Sequence, residues 1–191
     1  RAKVEQLIGQ DRSLQRVLNT FSYTGGFSVY AARAGAIHLT NVDASQIALS
    51  AAERNLKLNR QQWATPDIDH ETICGDAFDI LDGLSRADHR YDVVVIDPPS
   101  FARSSGQVGR AMGAYRRLTK LGLALLRPQG LLVMSSCSSR IDADDFFQLV
   151  NHAVDQARRT PLEVARTGHP LDHPIGFPEG AYLKCMFARV S

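Results

Sequence analysis

Apolar positions in this chain follow two alternating rhythms. Short runs rich in β-branched residues, such as VLN, IHLTNV, DVVVI and LLVMS, are separated by longer stretches in which apolar residues recur every three or four positions. That alternation is what βα units produce when they stack a mainly parallel sheet between two helix layers, so the fold class is α/β. Strands are predicted at 16–19, 37–42, 71–74, 92–96, 131–135, 162–167 and 182–190. Phe146, Leu149, Val150, Ala153, Val154 and Ala157 share one helical face, with Asp142 placed as N-cap. Phe27, Tyr30, Ala31 and Ala34 do the same after a glycine pair, and Gly35 then closes that helix. The last two strands are joined by GHPLDHPIGFPEGA, too short for a helical crossover, so the final strand is expected to run antiparallel.

Composition narrows the picture without changing it. With 191 residues and 44% hydrophobic content, one domain with a sizeable core is expected over 1–191. No apolar run approaches the roughly 20 residues that span a bilayer. The opening RAKVEQLIGQ lacks the apolar centre and cleavage site of a signal peptide, so no membrane association and a cytoplasmic location are expected. Three cysteines, Cys74, Cys137 and Cys185, form no C-x-x-C pair, which supports neither a disulfide framework nor a metal site. A net charge of +2 is too small to identify a nucleic-acid partner by itself. The chain opens on Arg1 rather than Met, consistent with further sequence upstream.

In an open α/β sheet, ligands sit beyond the carboxyl ends of the strands. The first exit reads FSYTGGF: Gly25 and Gly26 allow close backbone approach, and the following helix offers free N–H groups to an anion. The second ends at Asp43, followed by Ala44 and Ser45, where an acid can accept both ribose hydroxyls. The third reads GDAF, with Asp76 and Ala77 placed toward a base amine. Each feature alone is also what a plain turn or a helix N-cap looks like, but three in succession point to a nucleoside cofactor. The first loop lacks the glycine spacing that a pyrophosphate needs. Ser22, Tyr23 and Thr24 beside the glycines, with Phe27, suit the carboxylate and ammonium of an amino-acid tail, which favours S-adenosylmethionine over NAD.

The fourth strand exits as DPPSF, where Pro98 and Pro99 stop the strand and hold Asp97 at the mouth of the sheet, and Asp97 and Pro98 are also assigned to the cofactor. The fifth exits as SSCSS, placing Cys137 at the adjacent strand end among serines. Cys74 and Cys185, inside apolar strands, are expected to be inert core thiols. FSYTGGF, VDAS, DPPSF, SCS and the terminal DHPIGFPEGAYLK together resemble the catalytic domain of the RlmI-like family of large-subunit ribosomal RNA cytosine-C5 methyltransferases, and the likeness covers essentially the whole chain. The resemblance implies a Rossmann-like class I methyltransferase fold. It also implies that Ser22, Thr24, Gly25, Gly26 and Phe27 contact S-adenosylmethionine, that Asp43 holds its ribose and Asp76 its adenine, and that an RNA-binding domain precedes this one. His173, Pro174, Glu179 and Lys184 are singled out by the family pattern only. The wider RNA cytosine-C5 group carries a second cysteine after the proline of the fourth-strand motif, where this chain has Ser100.

The chemistry fits independently. Cytosine C5 is a poor nucleophile until a thiolate adds at C6, which gives Cys137 a role, while Asp97 can hydrogen-bond or protonate N3. Such a thiol needs a lowered pKa, for which Arg103, Arg140 or Lys184 would be the source. Arg103 and Arg110, in a Ser/Gly-rich stretch, are assigned with Pro99, Phe101 and Lys184 to the rRNA substrate. Phe101 is placed where it could stack on a flipped base, whereas Arg116, Arg117 and Lys120 are equally explained as a solvated helix face. The rival readings are an amino-group methyltransferase using the DPP turn without a nucleophile, an NAD-dependent oxidoreductase, and a silent RNA-binding module. Oligomeric state is left open, a homodimer of the full-length form being one option.

Overall fold

A computed structural model describes residues 1–60, 67–102, 104–169, 175–177 and 180–191. The elements run α1 (Ala2–Gln10), β1 (Arg16–Thr20), α2 (Gly26–Arg33), β2 (His38–Asp43), α3 (Gln46–Arg60), β3 (Asp69–Cys74), α4 (Ala77–Arg86), β4 (Tyr91–Ile96), α5 (Val108–Leu125), β5 (Leu126–Ser136), α6 (Ala143–Gln156), β6 (Pro161–Thr167) and β7 (Lys184–Val190). The seven strands form one sheet in the order β3-β2-β1-β4-β5-β7-β6. The pairs from β3 to β5 are parallel, whereas β7 runs antiparallel to both β5 and β6.

Alternation along the central strands divides the core into two layers. Leu18, Val94, Ile96, Leu132 and Met134 face α4, α5 and α6, where Tyr115, Leu118, Phe146 and Val150 are buried. Val17, Val93, Val95, Leu131 and Val133 face the opposite way, against Val4 and Ile8 of α1, Ala31 of α2 and Leu56 of α3. All six residues of β4 are buried because helices cover both of its faces. Burial of each such Val or Leu contributes about 1.5–3 kcal/mol. Asp142 caps α6 as anticipated, accepting from the Asp144 N–H at 2.8 Å. Gly35, at φ 110°, follows the C-cap of α2.

At the end of the sheet away from the strand exits, Asp92 ties β1 to β4. One carboxylate oxygen accepts the Gln15 and Arg16 amides at 3.0 and 2.8 Å, and the other meets Arg127 at 2.9 Å. No helix among the described residues is long and apolar enough to cross a membrane.

Candidate active site

All five parallel strands deliver their carboxyl ends to one edge of the sheet, and the first exit is the most strained. Phe21 and Tyr23 both adopt left-handed backbone (φ 55° and 48°), as does Gly25 at φ 75°. The strain is offset by fixed hydrogen bonds. The Ser22 N–H donates to Val42 O at 3.0 Å, the Gly25 N–H to Ser22 O at 2.9 Å, and Asn55 Nδ2 to Thr24 O at 3.0 Å. Gly25 serves a different purpose from the one its sequence suggests. A Cβ there would lie 2.8 Å from Ala52 Cβ, so the glycine is required by its left-handed conformation and by the approach of α3, before any ligand is considered. A Cβ on Gly26 would first meet the Arg1 side chain, at 2.9 Å.

Asp43 accepts the Tyr23 N–H (2.8 Å) on one oxygen and the Ser45 N–H (2.9 Å) on the other. The carboxylate is thereby locked in place, with lone pairs left for a diol. Ala44 and Ser45 are exposed beside it. Asp76 proves to be a helix N-cap, accepting the Phe78 N–H at 2.8 Å, and the Ala77 methyl is buried in the core beneath it. In contrast, α2 has no side-chain cap, so its first amides stay available to an anion. Ser22 Oγ is buried with no hydrogen-bond partner among the described residues. An orphaned hydroxyl beside uncapped amides is what a ligand carrying a carboxylate and an ammonium would complete. The loop therefore fits the amino-acid end of S-adenosylmethionine, with Asp43 available to its ribose.

The exits of β4 and β5 are neighbours, since Ile96 pairs with Met134. Asp97 opens onto a cleft of about 680 Å³ walled also by Phe27, Tyr30, Ser135, His169 and Tyr182. The residue is exposed through that opening, yet protein encloses its carboxyl closely enough that burial raises its pKa, with the Ser135 hydroxyl pulling it back. Ser135 also reaches Cys185 Sγ at 3.2 Å, but the carboxylate is the stronger acceptor. Pro98 is buried and Pro99 exposed.

Cys137 is half-buried, with Sγ 3.8 Å from Pro98 O, and is not among the described residues walling the cleft. The expectation of a lowered thiol pKa is not met. Burial and then the Asp97 charge push the Cys137 pKa up, and Lys184 opposes them only weakly. Lys184 is itself buried, its ammonium donating to the carbonyls of Ser138 (2.5 Å), Ile141 (2.7 Å) and Tyr182 (3.3 Å). It thus braces the loop after Cys137 rather than standing open to phosphate.

Phe101, expected beside a flipped base, packs against Tyr115 at 5.2 Å and lies within 6.5 Å of Phe21 and Phe78. Arg110 is exposed on the first turn of α5, and Arg117 lies over the Phe78 ring at 4.8 Å. Ser100 Oγ donates to Ala102 O at 3.2 Å. Cys74 is exposed at the end of β3, which corrects its assignment to the core, whereas the Cys185 thiol is pushed up to about 12 by burial and is inert at neutral pH. Arg103, His173, Pro174 and Glu179 lie outside the described residues. Among the described residues, no three His, Cys, Asp or Glu side chains are grouped to hold a metal.

Two features escaped the sequence reading: the ring-lined wall with His169 and Tyr30, and a buried polar network under the first loop. The latter did leave a signal, because Asn19 and Asn41 interrupt apolar strands at paired positions.

Comparison with known proteins agrees with this geometry. Residues 4–187 match the family described as S-adenosylmethionine-dependent methyltransferase. The chain is 40% identical over 176 residues to a ribosomal RNA large subunit methyltransferase of Deinococcus radiodurans, covering 92% of this chain and 42% of that protein. It is 39% identical to ribosomal RNA large subunit methyltransferase I of Aliivibrio fischeri, covering 91% and 43%. The chain therefore spans less than half the length of these relatives. A solved protein assigned as a methyltransferase and crystallised with S-adenosylhomocysteine superposes with a TM-score of 0.79 at 26% identity, over 98% of this chain and 48% of that one. The chain belongs to the S-adenosylmethionine-dependent methyltransferase family.

Proposed function

We propose that this domain methylates C5 of a cytosine in large-subunit ribosomal RNA through a covalent bond between Cys137 and C6. The observation that carries the reading is the adjacency of the β4 and β5 exits, which brings the Asp97 carboxyl and the Cys137 thiol within electrostatic reach of each other. The names of the relatives support rRNA as substrate. When bound, S-adenosylmethionine supplies an electrophilic methyl group.

The chain's own residues do the rest. Ser22 and the α2 amides would hold the cofactor's amino-acid tail, and Asp43 its ribose. With its pKa raised, the Cys137 thiol rests protonated, so it must lose its proton as the base arrives. Asp97, whose pKa is also raised, is the nearby group able to take that proton and pass it to N3 while the S–C6 bond forms. Addition at C6 makes C5 nucleophilic. After methyl transfer, a base removes the C5 proton, the S–C6 bond breaks, and the proton held on N3 returns through Asp97 to the departing thiolate, which restores the thiol. Because Ser100 offers no thiol, the breakdown step proceeds without a second cysteine.

A second reading remains, an amino-group methyltransferase in which Asp97 and the two prolines orient an exocyclic nitrogen. It is favoured by one observation: Asp97 lines the cleft and Cys137 does not. Mass analysis of nucleosides from a 23S rRNA transcript treated with the full-length protein separates the two. The proposal expects 5-methylcytidine, and N-methylated adenosine or guanosine would overturn it. The 191-residue chain alone should methylate poorly, since its net charge is only +2, and residual RNA binding should weaken steeply with salt.

A further inference from the structure

Beneath the first loop, four polar side chains form a connected network inside the sheet. Asn19 of β1, Ser28 of α2 and Asn41 of β2 are almost completely buried, and His70 of β3 is half-buried at the outer end. Ser28 Oγ donates to Asn41 Oδ1 at 2.5 Å, and Asn19 Nδ2 reaches Ser28 Oγ at 3.0 Å and Asn41 Oδ1 at 3.2 Å. With its oxygen so engaged, Asn41 must turn its NH₂ toward His70, whose Nε2 lies 2.9 Å away. An NH₂ group only donates, so His70 Nε2 must accept, and the imidazole is neutral with its proton on Nδ1. The network also touches the cofactor loop: Asn41 Nδ2 lies 3.4 Å from where a Cβ on Gly25 would be, and Ser28 is in the first turn of α2.

We propose that Asn41 is a positioning residue for the cofactor loop and that protonation of His70 disrupts it, so that cofactor affinity falls on mild acidification. Protonated Nε2 becomes a donor facing a donor. Asn41 must then lose that contact or flip, and flipping requires Ser28 Oγ to stop donating to Asn41 and Asn19 to turn its buried, unpartnered Oδ1 toward the new NH₂. Either outcome loosens the support under Gly25 and the start of α2. The charged groups around His70 are Glu53 of α3, which also accepts from Thr72 Oγ1 at 2.9 Å, and Asp69 on its own strand, which is shared with His38 of β2 at 3.2 Å. Both carboxylates favour the protonated ring, but burial outweighs them and holds the His70 pKa below its usual value. This inference rests on the cofactor reading of the loop and on no feature of the substrate chemistry.

The test is calorimetric titration of S-adenosylhomocysteine into the 191-residue chain from about pH 7.5 to about pH 5.5, with melting temperature followed at each pH. For the unmodified chain, affinity is expected to fall by roughly three- to tenfold across that range. His70→Gln keeps an acceptor for Asn41 but cannot titrate, so its affinity should stay flat. Asn41→Asp presents a carboxylate to His70, which favours the protonated ring, so its affinity should rise as pH falls. A merely structural role would lower affinity in both variants without changing the slope. The proposal is overturned if His70→Gln retains the original pH dependence, or if Asn41→Asp declines with acid as the unmodified chain does. Tight binding with no pH dependence overturns the network's role alone. Absence of binding at every pH overturns the cofactor reading together with it.

Discussion

Burial and then the Asp97 charge raise the proton affinity of Cys137, so the thiol cannot be ionised cheaply while that carboxylate is charged. A thiol in that setting should be slow toward alkylating agents at pH 7, accelerating only above its ordinary value of 9.0. Asp97→Asn removes the opposing charge while burial remains, so the alkylation profile should move to lower pH even though turnover is lost. If the profile does not move, the two groups are not coupled. The brace on the other side of the thiol is Lys184. Its ammonium satisfies three backbone carbonyls from a buried position, and Lys184→Met would leave them unpaired. A cost of about 1–3 kcal/mol in denaturant unfolding is expected, together with slower alkylation of Cys137, because the nearby positive charge is gone. A role for Lys184 in phosphate binding would instead show as weaker RNA affinity with unchanged stability.

Among the elements, the β1–α2 connection carries the sharpest constraint. Gly25→Ala forces a side chain into left-handed backbone and against Ala52, so a loss of roughly 1–3 kcal/mol is expected, with weaker S-adenosylhomocysteine binding. Unchanged stability would mean that α3 can move away freely. At the opposite end of the sheet, Asp92→Ala should cost about 2–4 kcal/mol, since two strand amides and Arg127 lose their acceptor. The seven strands were legible because central strands buried on both faces read as unbroken apolar runs, as DVVVI does. Boundaries were less legible. β5 begins at Leu126, five residues earlier than its pattern suggests, because Pro128 and Gly130 look like a turn but sit in an irregular stretch where Tyr91 pairs with Leu126 and Val93 with Leu131. The positions of Asp43, Asp97 and Cys137 followed from strand exits alone. The environment of Cys137 did not, because the contacts that raise its pKa join residues distant in sequence. The packing of Phe101 and Lys184 was not legible for the same reason: a ring or cation next to a motif looks available until its packing partners are known.

At the scale of the whole molecule, titration links stability to pH in opposing ways. The folded pKa of His70 lies below 6.5, so an unfolded chain binds that proton more readily, and stability present above pH 6.5 is lost as pH falls. Glu5, held low first by its hydrogen bond to Arg33, and Asp11, held low first by Ser13, add stability that disappears only as pH falls through the carboxylate range. Asp97 acts in reverse, because its raised folded pKa makes the ionised form costly at neutral pH, and Asp97→Asn should therefore melt no lower than the unmodified chain at pH 7. On the proposed mechanism, work is divided across the sheet, with cofactor groups at the exits of β1 and β2 and reacting groups at those of β4 and β5. Removing the nucleophile should consequently spare cofactor binding. The central claim is that Cys137 bonds to the base, and it is tested most directly by incubating the full-length protein and S-adenosylmethionine with rRNA containing 5-fluorocytidine, then looking for a denaturant-resistant protein–RNA adduct. Fluorine at C5 cannot leave as a proton would, so elimination stalls. The adduct should form with the unmodified protein and with Cys74→Ala and Cys185→Ala, and vanish with Cys137→Ala. Methylation by Cys137→Ala at a rate near that of the unmodified protein, with no adduct in any variant, would contradict the account.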